Sequence, residues 1–179
     1  MDFRKSLANA ARLLFRSMDA VRSVPERAGD LRERALALHV AAAPRGGEPP
    51  PHGTFAGTSP PSVEDDQAHF VALLGLTTDD PPAVFSNGMT LLTDRAATLA
   101  ARRGLDRRQS FVTLLGDLKD AGLLDFDEYA LMRDIASLAS DALRDPPETI
   151  TRAVALDFAL AVRGAHRFLA SLIAGTRAR

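Results

Sequence analysis

Between Val63 and Ile173 the apolar residues return every three or four positions, and nowhere do they alternate. His69, Phe70, Leu73 and Leu74 make one group, and Phe85, Met89, Leu92, Ala96 and Leu99 a second. Phe111, Leu114, Leu115 and Leu118 follow, then Leu131, Ile135, Leu138 and Ala142. A last set is Phe158, Ala161, Ala165, Leu169, Leu172 and Ile173. That period places each set on one face of a helix. β-branched residues are sparse and never cluster, so a sheet has no material to form from.

Short polar signals separate the groups. Ser62-Val63-Glu64-Asp65 resembles an N-cap, and Asp80-Pro81-Pro82 puts an acid and prolines at a helix start. Gly104 closes that helix, and Asp106 is expected to cap the next, which stops near Gly122. Asp125 with Glu128 fits a capping box. Asp145-Pro146-Pro147 breaks the following helix. Thr149 or Thr151 opens the last one, with Gly175 just past its end. The expectation is an all-α chain of six or seven helices.

Residues 43–62 contain six Pro and four Gly, so half of the segment cannot continue a helix. It reads as a linker between residues 1–42 and a helical bundle over 63–179. Ahead of it, Phe3, Leu7, Ala11, Leu14, Met18 and Val21 form one helical stripe. After Pro25 a second stripe holds Ala28, Leu31, Ala35, Leu38 and Ala42. The two make a helical hairpin, or one helix kinked at Pro25. Residues 1–42 carry eight Lys/Arg and five Asp/Glu, net +3, and residues 63–179 carry thirteen and seventeen, net -4. The basic arm is thereby permitted to touch an acidic surface, in cis or in trans.

Composition excludes several classes of function. With no Cys there is no disulfide, thiol catalysis or Cys-based zinc site, and four scattered His make a poor metal cluster. No cofactor or metal is expected. Net charge is -1, so the chain as a whole makes no electrostatic case for nucleic acid. Arg12 and Arg16 interrupt the apolar start that a signal peptide needs, and no apolar run is long enough to span a bilayer. A cytoplasmic location is the default expectation. There is no GxxxxGK[ST], GxGxxG, HExxH, GxSxG or EF-hand loop.

Four groups of residues are candidates for chemistry. His69 reads as a core or interface histidine. His166, with Arg163 and Arg167, reads as a solvated basic face. Arg102, Arg103, Arg107 and Arg108 complement a helix C-terminus, with nucleic acid as the weaker reading. Asp117, Asp120, Asp125, Asp127 and Glu128 surround one helix junction, where loop positions rarely supply the burial that a paired acid and base requires.

The order from Asp79 to Ile173 resembles the HEPN superfamily of four- or five-helix bundles. The resemblance lies in the Asp80-Pro81-Pro82-Ala83 start, Leu118-Lys119-Asp120-Ala121-Gly122-Leu123-Leu124, Asp125-Phe126-Asp127-Glu128 running to Leu131-Met132-Arg133, the Asp145-Pro146-Pro147 break and the Ala-rich final helix. That family cuts RNA with an Arg, a polar residue and a His assembled across a dimer. Aligned on Met132-Arg133, the catalytic Arg falls on Ala136, the polar residue on Ser137 and the His on Asp141. With Arg133 as the catalytic Arg, the His position falls on Leu138, Ala139 or Ser140. The His is missing in both registers, and a metal-free RNase needs a group that exchanges protons near neutral pH. The resemblance therefore implies a degenerate, non-enzymatic member with Arg133, Ser137 and Asp141 as its motif remnant.

The expected function is a helical interaction or dimerisation module. The expected partner is a second copy or another protein, with Ala159, Ala161 and Ala165 of the last helix allowing close approach. One alternative is an RNA-binding or RNA-cleaving bundle using Arg133, Asp141 and His166. Another is a peripheral membrane protein lying on its first helix, residues 2–22.

Overall fold

The computed structural model describes residues 23–42, 63–144, 146 and 149–175. The stripe over residues 3–21, the linker reading of 43–62 and the Ser62 cap lie outside the described residues. The helices are α1 (Val24–Ala42), α2 (Val63–Asp79), α3 (Ala83–Arg102), α4 (Phe111–Asp120), α5 (Phe126–Ala142) and α6 (Arg152–Ile173). Among the described residues there is no strand. The chain is an all-α helical bundle.

The helix ends follow local chemistry. The Asp125 carboxylate accepts from the Glu128 backbone N–H at 2.9 Å, and the Glu128 carboxylate accepts from the Asp125 N–H at 2.8 Å. This closes the capping box. The Thr151 hydroxyl accepts from Val154 N–H and opens α6. Asp80 accepts from Ala83 N–H at the start of α3. Gly104 and Gly122 follow α3 and α4 with φ near +70°, where a side chain is unfavourable, and chain reversal begins there. Asp106 does not cap α4. It accepts from the Arg108 N–H inside the preceding turn, and Ser110 is the N-cap. The acid sits too many residues upstream to reach the first helical N–H groups.

α6 occupies the centre and touches α1, α2, α3 and α5. Twelve of its 22 residues are buried, so most of its circumference is covered. α3 runs parallel to it. Phe85 stacks on Phe158, with ring centroids 4.3 Å apart. Further along, Arg95 meets His166, and Arg102 donates to the Ile173 carbonyl. Gly88 lets this pair of helices close, because a Cβ there would lie 2.9 Å from the Phe158 ring.

α1 packs on α6 and α5, and Ala28, Leu31 and Ala35 belong to the same core as the later helices. The compositional boundary at residues 43–62 is thus no boundary of the core. The 24–42 half of the N-terminal piece is a bundle member, not a separate arm. Its approach is close: a Cβ on Gly164 would sit 2.6 Å from the Ala35 carbonyl oxygen. Small residues on both helices make that crossing feasible.

Two glycine substitutions test this contact by opposite signs. In α4, Gly116 faces open space, so Gly116→Ala should stabilise the protein by about 0.5–1 kcal/mol through helix propensity. Gly164→Ala gains the same propensity but collides with backbone, so a net loss of about 1–2 kcal/mol is expected. Urea unfolding midpoints at unchanged slope provide the measurement.

Candidate functional site

Ser137 and Asp141 lie on α5 one turn apart, and Arg27 of α1 reaches both. Its guanidinium donates to Asp141 at 2.7 Å and to the Ser137 hydroxyl at 3.3 Å. The Arg27 side chain is 18% exposed and that of Asp141 40%, so the pair sits at a half-covered helix seam. Two turns along α1, Arg34 donates to Asp134 at 3.0 Å. The order of these partners makes α1 antiparallel to α5. On the opposite flank of α1, Arg32 donates to Asp157 of α6 at 2.8 Å. Three arginines therefore bracket the Ala28–Leu31–Ala35 seam.

Arg133 does not join Ser137 and Asp141. Four-residue steps drift by about 40° around a helix, and Arg133 lies on the edge of α5 that faces α4. Its guanidinium is 5.9 Å from the Tyr129 ring centroid, and Lys119 of α4 is 5.2 Å from the same ring. Tyr129 is half-buried between two cations. Cation–π contacts at such exposed sites contribute about 0.5–1 kcal/mol.

The other candidates are dispersed. His166 accepts a 3.0 Å hydrogen bond at Nε2 from Arg95 Nε, so its proton is assigned to Nδ1 when neutral. Arg133, Asp141 and His166 thus engage three different partners. His69 is exposed on α2 and is not a core histidine. The face carrying Arg163, His166 and Arg167 is less solvated than its sequence suggested. Arg163 lies 4.5 Å above the Phe70 ring, and only Arg167 is exposed. Burial, with repulsion from Arg167, lowers the Arg163 pKa below the usual guanidinium value. Arg102, Arg103, Arg107 and Arg108 are all exposed at the α3 C-terminus, where Arg102 caps a carbonyl of α6.

Of the acids at the α4–α5 junction, Asp125 and Glu128 cap each other and Asp120 meets Lys119 at 3.3 Å. Among the described residues no three His, Asp or Glu side chains are grouped to hold a metal ion, and no helix is long and apolar enough to cross a membrane. Ala159, Ala161 and Ala165 are fully buried inside one chain. The small-residue stripe of the last helix is therefore spent on intramolecular packing. Nothing in the local sequence around Arg27, Arg32 and Arg34 marks them as interhelical partners. The available signal was the seven-residue spacing of Arg27 and Arg34 against the equal spacing of Asp134 and Asp141.

The class defined by this geometry is an all-α bundle fastened by arginine–aspartate pairs between helices. No protein family, curated protein or solved structure matches the chain.

A double-mutant cycle on Arg27→Ala and Asp141→Ala should give a coupling of about 0.2–1 kcal/mol, the range for exposed ion pairs. The coupling should shrink in about 1 M NaCl, where the Debye length is ~3 Å. Chemical unfolding of the four proteins at both salt concentrations measures it.

Proposed function

We propose that the chain is a non-catalytic helical interaction module, a degenerate relative of the HEPN-like bundles that its sequence resembles. One observation carries this reading. Two of the polar residues at the motif positions, Ser137 and Asp141, are held by Arg27 of α1, and the third, Arg133, lies beside the Tyr129 ring of its own helix. General acid–base cleavage needs a proton-exchanging group within hydrogen-bond reach of substrate. Asp141 instead faces a guanidinium of its own chain.

The proposed partner is a second copy or another protein, met in the cytoplasm. Association through the buried stripe of α6 would require α1 to leave, so the outer faces of the helices are the surfaces available. Val71, Val112, Phe126 and Leu143 supply exposed apolar area there.

Two measurements test the proposal. Purified full-length protein should leave a mixed single-stranded RNA pool uncut, as should Arg133→Ala and Asp141→Asn. Cleavage that survives purification and vanishes in both variants overturns the reading. Sedimentation equilibrium of the full chain at tens of micromolar should show association above the 19.2 kDa monomer mass. A fragment lacking α1 is unsuitable, since it uncovers Gly164 and the α6 seam.

A further inference from the structure

Between Arg95 and Gly116 the chain holds five Arg and one Asp, net +4, although the whole molecule has a net charge of -1. Two of the five are used inside the fold. Arg95 meets His166, and Arg102 donates to the Ile173 carbonyl at 3.0 Å. Arg103, Arg107 and Arg108 are exposed, and among the described residues no acceptor engages their guanidinium groups. Asp106 is the one acid in the turn, and its carboxylate accepts from the Arg108 backbone N–H at 2.9 Å. Helix-end chemistry accounts for Arg103, which follows the C-terminus of α3. It opposes Arg107 and Arg108. They stand just ahead of the Ser110 cap of α4, at the positive end of that helix, where a cation is disfavoured.

The backbone beneath these side chains is tied down. Gly104 and Leu105 N–H groups donate to the Ala101 and Ala100 carbonyls at 3.1 and 3.0 Å, and Leu105 packs against the core. Three cations therefore project into water from one fixed turn, and an anion brought there relieves their mutual repulsion. The surroundings select its size. Phe111, the one aromatic between Arg95 and Gly116, is 7% exposed, so a nucleobase has no ring to stack on. Val112 is the only large apolar side chain exposed in this stretch, which falls far short of the roughly 800 Å² per partner of a stable protein interface. What fits is a small anion of several charges. A guanidinium presents parallel N–H donors that match two oxygens of one phosphate. Three of them on one turn match successive phosphates of a short chain.

We propose that the turn between α3 and α4 binds a short polyphosphate anion through Arg103, Arg107 and Arg108, without reading any organic group attached to it. Arg102 takes no part, because it holds the end of α6. The bound anion neutralises the start of α4 and bridges it to the end of α3. The inference depends neither on the non-catalytic reading nor on self-association.

Titration calorimetry of the full chain with sodium tripolyphosphate in low-salt buffer tests it. One saturable site should appear, with orthophosphate binding more weakly because it meets fewer of the three arginines. Arg103→Gln/Arg107→Gln/Arg108→Gln should weaken tripolyphosphate about tenfold, since exposed charge pairs carry up to about fivefold each. The single variant Arg108→Gln, which disturbs the fold least, should weaken it about two- to fivefold. Arg144→Gln/Arg152→Gln/Arg167→Gln removes three exposed arginines elsewhere and gives the same net charge, so it should leave the affinity within about twofold. Equal losses in the two triple variants, or no saturable binding by the native chain, overturn the proposal. Three competitors test the choice of ligand. ATP should bind no tighter than tripolyphosphate, and ATP bound tenfold tighter overturns recognition of phosphate alone. A glutamate oligopeptide or a single-stranded RNA that binds more tightly than tripolyphosphate, and loses that affinity in the Arg103/Arg107/Arg108 variant, also overturns it, because the turn then serves a macromolecule.

Discussion

The passage of Ala35 beside Gly164 sets the position of everything around it. Without a Cβ on Gly164, α1 settles nearer to α6 than ordinary side chains permit, and the small residues Ala28 and Ala35 bury completely. Close backbone approach replaces bulk: many weak dispersion contacts form over a short distance. Gly88 does the same between α3 and α6 beneath Phe158. The central helix is thus enclosed through two notches, with α1 and α3 both running parallel to it.

Once α1 is set at that depth, its arginines fall where they can work. Arg27 and Arg34 reach α5 on one flank, and Arg32 reaches α6 on the other. Each pair keeps substantial contact with water, so each contributes little to stability. Their value lies in register. A seam of Ala, Leu and Ala has few features to distinguish one sliding position from the next. Three charge pairs on two sides penalise the wrong ones.

The same arrangement divides α5 into two edges with different fates. Asp134, Ser137 and Asp141 are clasped by α1, while Phe126, Tyr129 and Arg133 look toward α4 and solvent. Polar residues that could have been chemistry are thereby used for assembly. The proposed interaction role draws on the second edge.

Much of the helix layout was legible in the sequence. The stripes, the capping box of Asp125 and Glu128, a threonine start for α6 and the glycine stops after α3, α4 and α6 all act through groups within a few residues of one another, and the structure selects Thr151 over Thr149. Local hydrogen bonding and backbone sterics suffice to specify them. Asp106 failed as a cap because Ser110 competes with it and sits nearer the first turn. The partnership of α1 with α5 and α6, the separation of Arg133 from Ser137 and Asp141, and the burial of Ala159, Ala161 and Ala165 were not legible. These depend on how helix axes approach and rotate about one another. An alanine-rich stripe states which face turns inward, but it offers too little distinctive shape to name the helix it meets. That choice waited for the backbone contact at Gly164, which only the assembled fold creates.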